Sequence, residues 1–585
     1  MPFATRAFYF ILLLTGGVAF AAAVVAAEDN RADGGPADTI LLGGKIITLD
    51  EKNSLATALA VRDGRIVAVG DDRAVERFRG PKTQVEQLGG KTVIPGVVAA
   101  HCHAVGVARN SLTRPHAELL SVAEVQDWVR RRAKELPAGT WIRIPRTDIT
   151  RMAERRHPTT AELDEACATH PVIFTAARKH ALNSAGWVAV GGDAASPQVA
   201  GGRVIVDASG GPRLLAGGGS VLQKLMPRPV HAKEDVVAAL RRVHTSYNAV
   251  GITSIFERAA SMDDFLLYRQ LRQQRQLSVR MTQTFRSRFR SAADVEAFTK
   301  RLAMKTGDGD EWVRVGPLKI TVDGGIHWGN TYLREEYGAR RIGFYAHDDP
   351  SYRGDVNYSA ELMTEVFRAG HELGWQWCCH VTGDAGVDRV LESLAAVHAT
   401  HPDIAGRRFS LTHAYFPATD SIEIASKLGV CVDTQSSLYY KDSAAIDEVY
   451  GRDWSSRFIG LGDWIRGGVT TAIAGDHMIG LDPNQSMNAY NPFLMLYVAV
   501  ARKNRDGDVF GAHQKLSRLE ALRCVTSHPA YLEFTERQKG SLELNKFADL
   551  AVLDRNYLTC PEEQIRQIQV EMTMLDGQVV YRRKK

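Results

Sequence analysis

From about residue 91 to 545 the chain keeps one rhythm: a helix-period stretch, a glycine at or near its end, then a short apolar strand. It is plain in "EDVVAALRRVHTSYNAVGITSIFE", "ELMTEVFRAGHELGWQWCCHVTGD" and "SIEIASKLGVCVDTQ". Helices that alternate with strands cover the faces of a parallel sheet, and the expected fold is α/β, a distorted TIM (β/α)8 barrel. The chain has 585 residues, whereas single cores rarely grow past roughly 250 to 300 residues. The barrel must therefore carry additions. Residues from about 110 to 230, with the glycine-rich "VAGGRVIVDASGGPRLLAGGGS", break the rhythm and read as a subdomain inserted after the first barrel strand. Both ends read as short strands with hairpin turns, for example at Asp576-Gly577. We expect residues 28–95 and 541–585 to meet in a small composite β-sandwich around a barrel of residues 96–540.

The first 27 residues differ in kind. One Arg is followed by an apolar run and then by Val25-Ala26-Ala27, small residues that suit cleavage, so this stretch reads as a secretory signal peptide. An uncleaved anchor is the alternative that the length just permits. The expectation is a periplasmic or secreted protein with no stable membrane span after cleavage. A net charge of +5 spread over the whole chain, with no clustered basic face, gives no nucleic-acid footprint. The seven cysteines lack metal-type CxxC spacing and sit in apolar runs, so no disulfide framework is expected. A homo-oligomer is left open.

The chemistry starts at "VIPGVVAAHCHAVG". On a strand, residues i and i+2 share a face, so His101 and His103 project together, about 7 Å apart along the strand, while Cys102 points the other way. Alone this is a weak signal. A barrel keeps its active site at the C-terminal ends of its strands, and polar residues recur there. Lys319, Thr321 and Asp323 share a face in "LKITVDGG", His380 ends "WQWCCH", His413 ends "RRFSLTH", and Asp476 ends "VTTAIAGD". Each has a bland reading as an ion pair, a carbonyl partner or a helix cap. Together they form a hard-metal inventory of imidazoles and carboxylates.

The order HxH, Lys, His, His, Asp on successive strands resembles the amidohydrolase superfamily. The stretches "VIPGVVAAHCH", "LKITVDGG", "HVTGDAGVDRVLESL", "GDHMIG", "NPFLMLYVAVARKN", "LEALRCVTSHPAYLEF" and "KGSLELNKFADLAVLD" resemble its family 3 group, which includes N-substituted formamide deformylases. The resemblance implies a metal-dependent hydrolase of C–N bonds other than peptide bonds, acting on a small molecule. It implies that His101, His103, Lys319, His380, His413 and Asp476 hold one or two ions, expected to be Zn2+ although another divalent metal would serve. Lys319 stands where many relatives carry a carboxylated lysine that bridges two metals. Asp476 would be the catalytic residue, taking a proton from water and passing it to the leaving nitrogen. His180 in the insertion, His327 and Trp328 after "DGG", and His477 are candidates for substrate binding, and Arg334 is a further pocket candidate. The departures are Cys102 between the first histidines and Ser436 where many relatives carry Pro.

Two alternatives remain at this point. One is a deaminase or a cyclic-amide or lactone hydrolase on the same site, told apart by its products. The other is an exported binding or regulatory protein without catalysis, told apart by ligand binding with no hydrolysis.

Overall fold

The computed structural model describes residues 35–113, 116–192, 199–206, 212–227 and 229–584; the signal peptide expected over residues 1–27 lies outside the described residues. Eight parallel strands form the central sheet: β1 (Val97–Cys102), β2 (Ile252–Ala260), β3 (Arg280–Arg286), β4 (Val313–Thr321), β5 (Trp377–Val381), β6 (Ser410–His413), β7 (Cys431–Thr434) and β8 (Thr471–Ile473). They pair in sequence order from β1 to β8. The ring is closed just beyond β8, where Asp476 N–H donates to His101 O at 3.0 Å and His103 N–H donates to the His477 carbonyl at 2.9 Å. Barrel closure and the candidate site are thus made by the same residues. The fold is α/β with a nearly closed (β/α)8 barrel, as the alternation predicts.

The helix before β2, Lys233–Asn248, shows how local sequence builds a barrel unit. Val236, Ala239, Leu240, Val243 and Tyr247 recur at helical spacing and are buried. Gly251, with φ +83°, then turns the chain into β2, a conformation that costs glycine least.

The two chain ends meet. A six-stranded sheet runs in the order 578–582, 570–575, 550–553, 92–95, 45–47, 55–56, and Leu550–Leu553 lies antiparallel to Thr92–Pro95. A four-stranded sheet of residues 39–42, 58–62, 65–70 and 84–87 packs on it through Leu41, Ile46, Leu59, Val93, Leu550 and Met572. At Gly96 the chain passes from this layer into β1, and any Cβ there would collide with Thr253 of β2. Buried Arg280 of β3 ties the layers by pairing with Asp549 at 2.8 Å and Asp576 at 3.0 Å.

Between β1 and β2 lies the inserted region. Its five-stranded sheet runs 202–206, 212–217, 179–182, 172–176, 142–143. A small apolar cluster that includes Ile173, Leu182, Trp187, Leu215 and Leu222 packs on it. Among the described residues no helix is long and apolar enough to cross a membrane.

Candidate metal centre

β1 delivers His101 and His103 to the barrel mouth, and the turn after β8 brings Asp476 against them. Asp476 Oδ1 lies 3.2 Å from His101 Nε2 and 3.2 Å from His103 Nε2. The ligand-type atoms of these three residues all lie within 4.8 Å of one another. Asp476 adopts φ +49°, left-handed backbone that strains a residue with a Cβ, and strain of this kind gathers at functional sites. His413, the last residue of β6, has φ +82°.

The other two histidines stand beside this group. The His101 and His413 rings are 5.2 Å apart and the His413 and His380 rings 4.4 Å. Each imidazole is held by its outer nitrogen. His101 Nδ1–H donates to Asp433 Oδ1 at 3.1 Å, His380 Nε2–H to the Gly324 carbonyl at 2.7 Å, and His413 Nδ1–H to Gln435 Oε1 at 2.7 Å. These partners fix the tautomers, so the inner nitrogens carry lone pairs. His380 Nδ1 and His413 Nε2 then face each other at 2.9 Å, acceptor to acceptor, and His101 Nε2 faces the Asp476 carboxylate. Such crowding of acceptors calls for a cation.

Burial, reinforced by Lys319, lowers the His101 imidazole to about 3, and burial takes His380 to about 4, so both are neutral near pH 7. Burial alone would raise Asp476, but the surrounding imidazoles hold it well below the usual carboxylate range. Lys319 is fully buried at the same barrel end, and desolvation lowers its ammonium below the ordinary lysine value.

Behind the ring sits a group that sequence reading passed over. Asp433, buried on β7, accepts from His101, from the Arg258 guanidinium at 3.1 Å and from the Thr412 hydroxyl at 2.8 Å. Arg258 also reaches the Ala100 carbonyl at 3.0 Å. Asp433 and Gln435 obey the same i, i+2 rule as His101 and His103; "CVDTQ" carries that signal inside an apolar run. A second brace comes from the insertion. Buried Arg151 pairs with both oxygens of Asp442, each at 2.9 Å, and lies 3.5 Å from Asn488 Oδ1, while Asn488 Nδ2 donates to the Asp476 carbonyl at 2.9 Å.

The four residues expected at substrate fare differently. His477 is fully buried; its Nδ1 accepts from Tyr247 O–H at 2.9 Å and its Nε2–H donates to the Gly480 carbonyl at 2.7 Å. Both ring nitrogens are used inside the protein, so the substrate-contacting role is corrected to a structural one. His327 Nε2 lies 3.0 Å from Asp442 Oδ2 and so joins the Arg151 brace. Trp328 is half-buried with Arg146 over its ring at 5.8 Å. His180, on the inserted sheet, bonds Thr175 Oγ1 at 2.9 Å and lines a cavity there. Arg334 is held by Asp388 at 2.6 Å and Asp420 at 2.9 Å. Asp323 braces the start of the helix after β5 by accepting from the Thr382 and Gly383 N–H groups. Cys102 is buried and bonds the Phe256 carbonyl, which agrees with its outward direction.

The barrel, its composite sheet and this strand-end set define a class of metal-dependent hydrolases. The chain belongs to the Amidohydrolase family, whose profile matches residues 84–581. It is 27% identical over 558 residues to the N-substituted formamide deformylase of Arthrobacter pascens, covering 93% of this chain and 98% of that one. It is also 22% identical over 540 residues to the protein LONG AFTER FAR-RED 3 of Arabidopsis thaliana, covering 89% and 88%. Among solved structures, an uncharacterized metal-dependent hydrolase from Pyrococcus horikoshii OT3 superposes with a TM-score of 0.63 at 18% identity, over 90% of this chain and 99% of that one. The family implies a divalent metal. The facing acceptors fit it: His101, His103 and Asp476 form one donor set and His380 with His413 an adjoining pair.

Proposed function

We propose that this protein hydrolyses an amide- or formamide-type C–N bond of a small molecule. The observation that carries the reading is the Asp476 carboxylate, placed 3.2 Å from each of two imidazole nitrogens at the open end of the barrel. His103 and Asp476 keep 22% and 14% of their side-chain surface exposed, whereas His101 keeps 1%, so a substrate meets the first two.

In this reading His101, His103 and Asp476 hold one divalent cation and His380 with His413 hold or complete a second; an imidazole-rich set with a carboxylate suits zinc. Bound there, the metal supplies Lewis-acid polarisation of a carbonyl and a lowered pKa for water. The chain does the rest. Asp476 is ionised, so it can take a proton from water as the oxygen joins the carbonyl carbon, and deliver that proton to the nitrogen as the C–N bond breaks. Asp433 and Gln435 keep the imidazoles in the tautomers that leave their inner nitrogens free. Lys319, with its ammonium disfavoured by burial, is disposed toward the neutral amine that takes up CO2 to give a carboxylated lysine.

We further read the chain as exported, acting in the periplasm or outside the cell, on the strength of residues 1–27. A mature N-terminus near Glu28 supports that, and retention of Met1 in the exported protein refutes it. The activity is tested by assaying the zinc-loaded protein on formamides, linear amides, cyclic amides, lactones and amines. Formate or carboxylic acid release that Asp476→Asn abolishes supports the reading. Ammonia release or ring opening alone would replace it with the alternatives above.

A further inference from the structure

Resting on that reading, the inserted region carries a second, distinct feature. Between the inserted sheet and the short helix Gly219–Leu225 lies a cavity of about 510 Å³. Its wall is divided. Leu222 and Met226 give an apolar side, while Arg143, Arg146, Thr175 and His180 give a polar one, and among the described residues no carboxylate lines it.

Arg146 is the telling residue. Among the described residues it makes no ion pair or hydrogen bond, and its guanidinium lies over the Trp328 ring at 5.8 Å. It is half-buried, and among the described residues no carboxylate lies within an ion-pair distance of it. Burial and Arg143 lower His180 to about 4, so near neutral pH this imidazole offers a hydrogen bond rather than a charge.

Two chains of contact lead from the cavity's lining to the metal centre. Trp328, under Arg146, ends the short turn that begins beyond Gly324, whose carbonyl holds His380. Arg143 also lines a neighbouring cavity of about 610 Å³. Gly106 is among the residues that line that cavity, and a Cβ there would lie 3.6 Å from His103 Cβ.

We propose that this cavity is the recognition pocket for the part of the substrate remote from the scissile bond. The group it takes is an apolar body ending in an anion, a carboxylate or a phosphate, held by Arg146. A guanidinium matches either oxyanion with two parallel hydrogen bonds, and apolar side chains opposite it take up the body of the molecule.

The test is calorimetric binding to the whole zinc-loaded protein, with 4-phenylbutyrate, its carboxamide and phenyl phosphate as probes. A charge-assisted hydrogen bond contributes about 1.5 to 3 kcal/mol, so one or both anions should bind at least about tenfold more tightly than the carboxamide. The tighter anion identifies the preferred oxyanion. Arg146→Gln should bring the ratio of anion to carboxamide affinity toward one. Gln223→Glu, an isosteric change at an exposed position on the same wall, should lower the ratio several-fold without a packing change. Equal affinities in the wild type, or a ratio that survives Arg146→Gln, would overturn the pocket. If the anions bind as expected but none of the amide panel is hydrolysed, the pocket stands and the proposed function falls. If amides are hydrolysed but the probes bind equally, the pocket alone falls.

Discussion

The barrel mouth and the inserted sheet line the same protein but are built on opposite plans. At the mouth the His101, His380 and His413 imidazoles are each locked by a second partner, and the carboxylates there are themselves held: Asp433 by Arg258 and Thr412, and Asp476 through Asn488 and Arg151. Across the insertion, Arg146 and Gln223 stand partly open, and the sheet packs a small cluster of its own around Ile173, Leu215 and Leu222, while Val172, Phe174 and Leu214 join the barrel's core. Chemistry that must be placed to a fraction of an ångström is put on a closed sheet with doubly held side chains, while selectivity is put on the part of the inserted sheet that carries its own small cluster.

If that division is right, the largest effects belong to the mouth. Asp476→Asn should lower kcat on any substrate by about 10² to 10⁴, the range for a positioned general base, while circular dichroism stays native. A loss below about tenfold would move the proton transfer to another residue. Next in size is Asp433→Ala, which leaves the Arg258 guanidinium buried without its carboxylate. The cost expected is about 3 to 5 kcal/mol, read in denaturant unfolding, with metal affinity weakened about 10- to 100-fold. A stable variant with full metal content would show that the outer partners do not matter.

The insertion should behave differently. Leu222→Ala opens a gap in its cluster and should cost about 2 to 4 kcal/mol locally. We expect faster proteolytic nicking within residues 140–230 but unchanged metal content. Loss of metal in this variant would join the two regions into one unit.

A further effect is on acid stability and touches the insertion and a barrel helix. Burial lowers His157, in the insertion, to about 4 and His244, on the helix before β2, to about 3. The unfolded chain binds protons at these sites from about pH 6.5 downward and the folded chain does not. Stability is therefore lost as pH falls from about 6.5 to 4 for His157 and to 3 for His244, by about 1.4 kcal/mol per pH unit per site. His244→Gln should flatten the fall of Tm between pH 6.5 and 4 relative to wild type. An unchanged slope would mean that other groups govern it.

Sequence legibility followed the same divide. The barrel was readable because its helix-then-strand rhythm is local, and His101, His103, His380, His413 and Asp476 were readable because each ends an apolar strand. Asp433 was missed: it sits inside such a strand, and only the closed ring shows that its neighbour is His101, 332 residues away. His477 was misplaced for the converse reason, since its partner Tyr247 comes from a helix 230 residues earlier. The cavity under the inserted sheet had no signal at all, because Arg146, His180 and Met226 belong to separate segments with no shared period.

The most direct measurement is anomalous diffraction at the zinc edge from crystals of the purified, zinc-loaded protein. We predict a strong peak between His101 Nε2, His103 Nε2 and Asp476 Oδ1, with any second peak between His380 and His413. A barrel mouth without a peak, in crystals whose zinc sits elsewhere on the protein, would contradict the account.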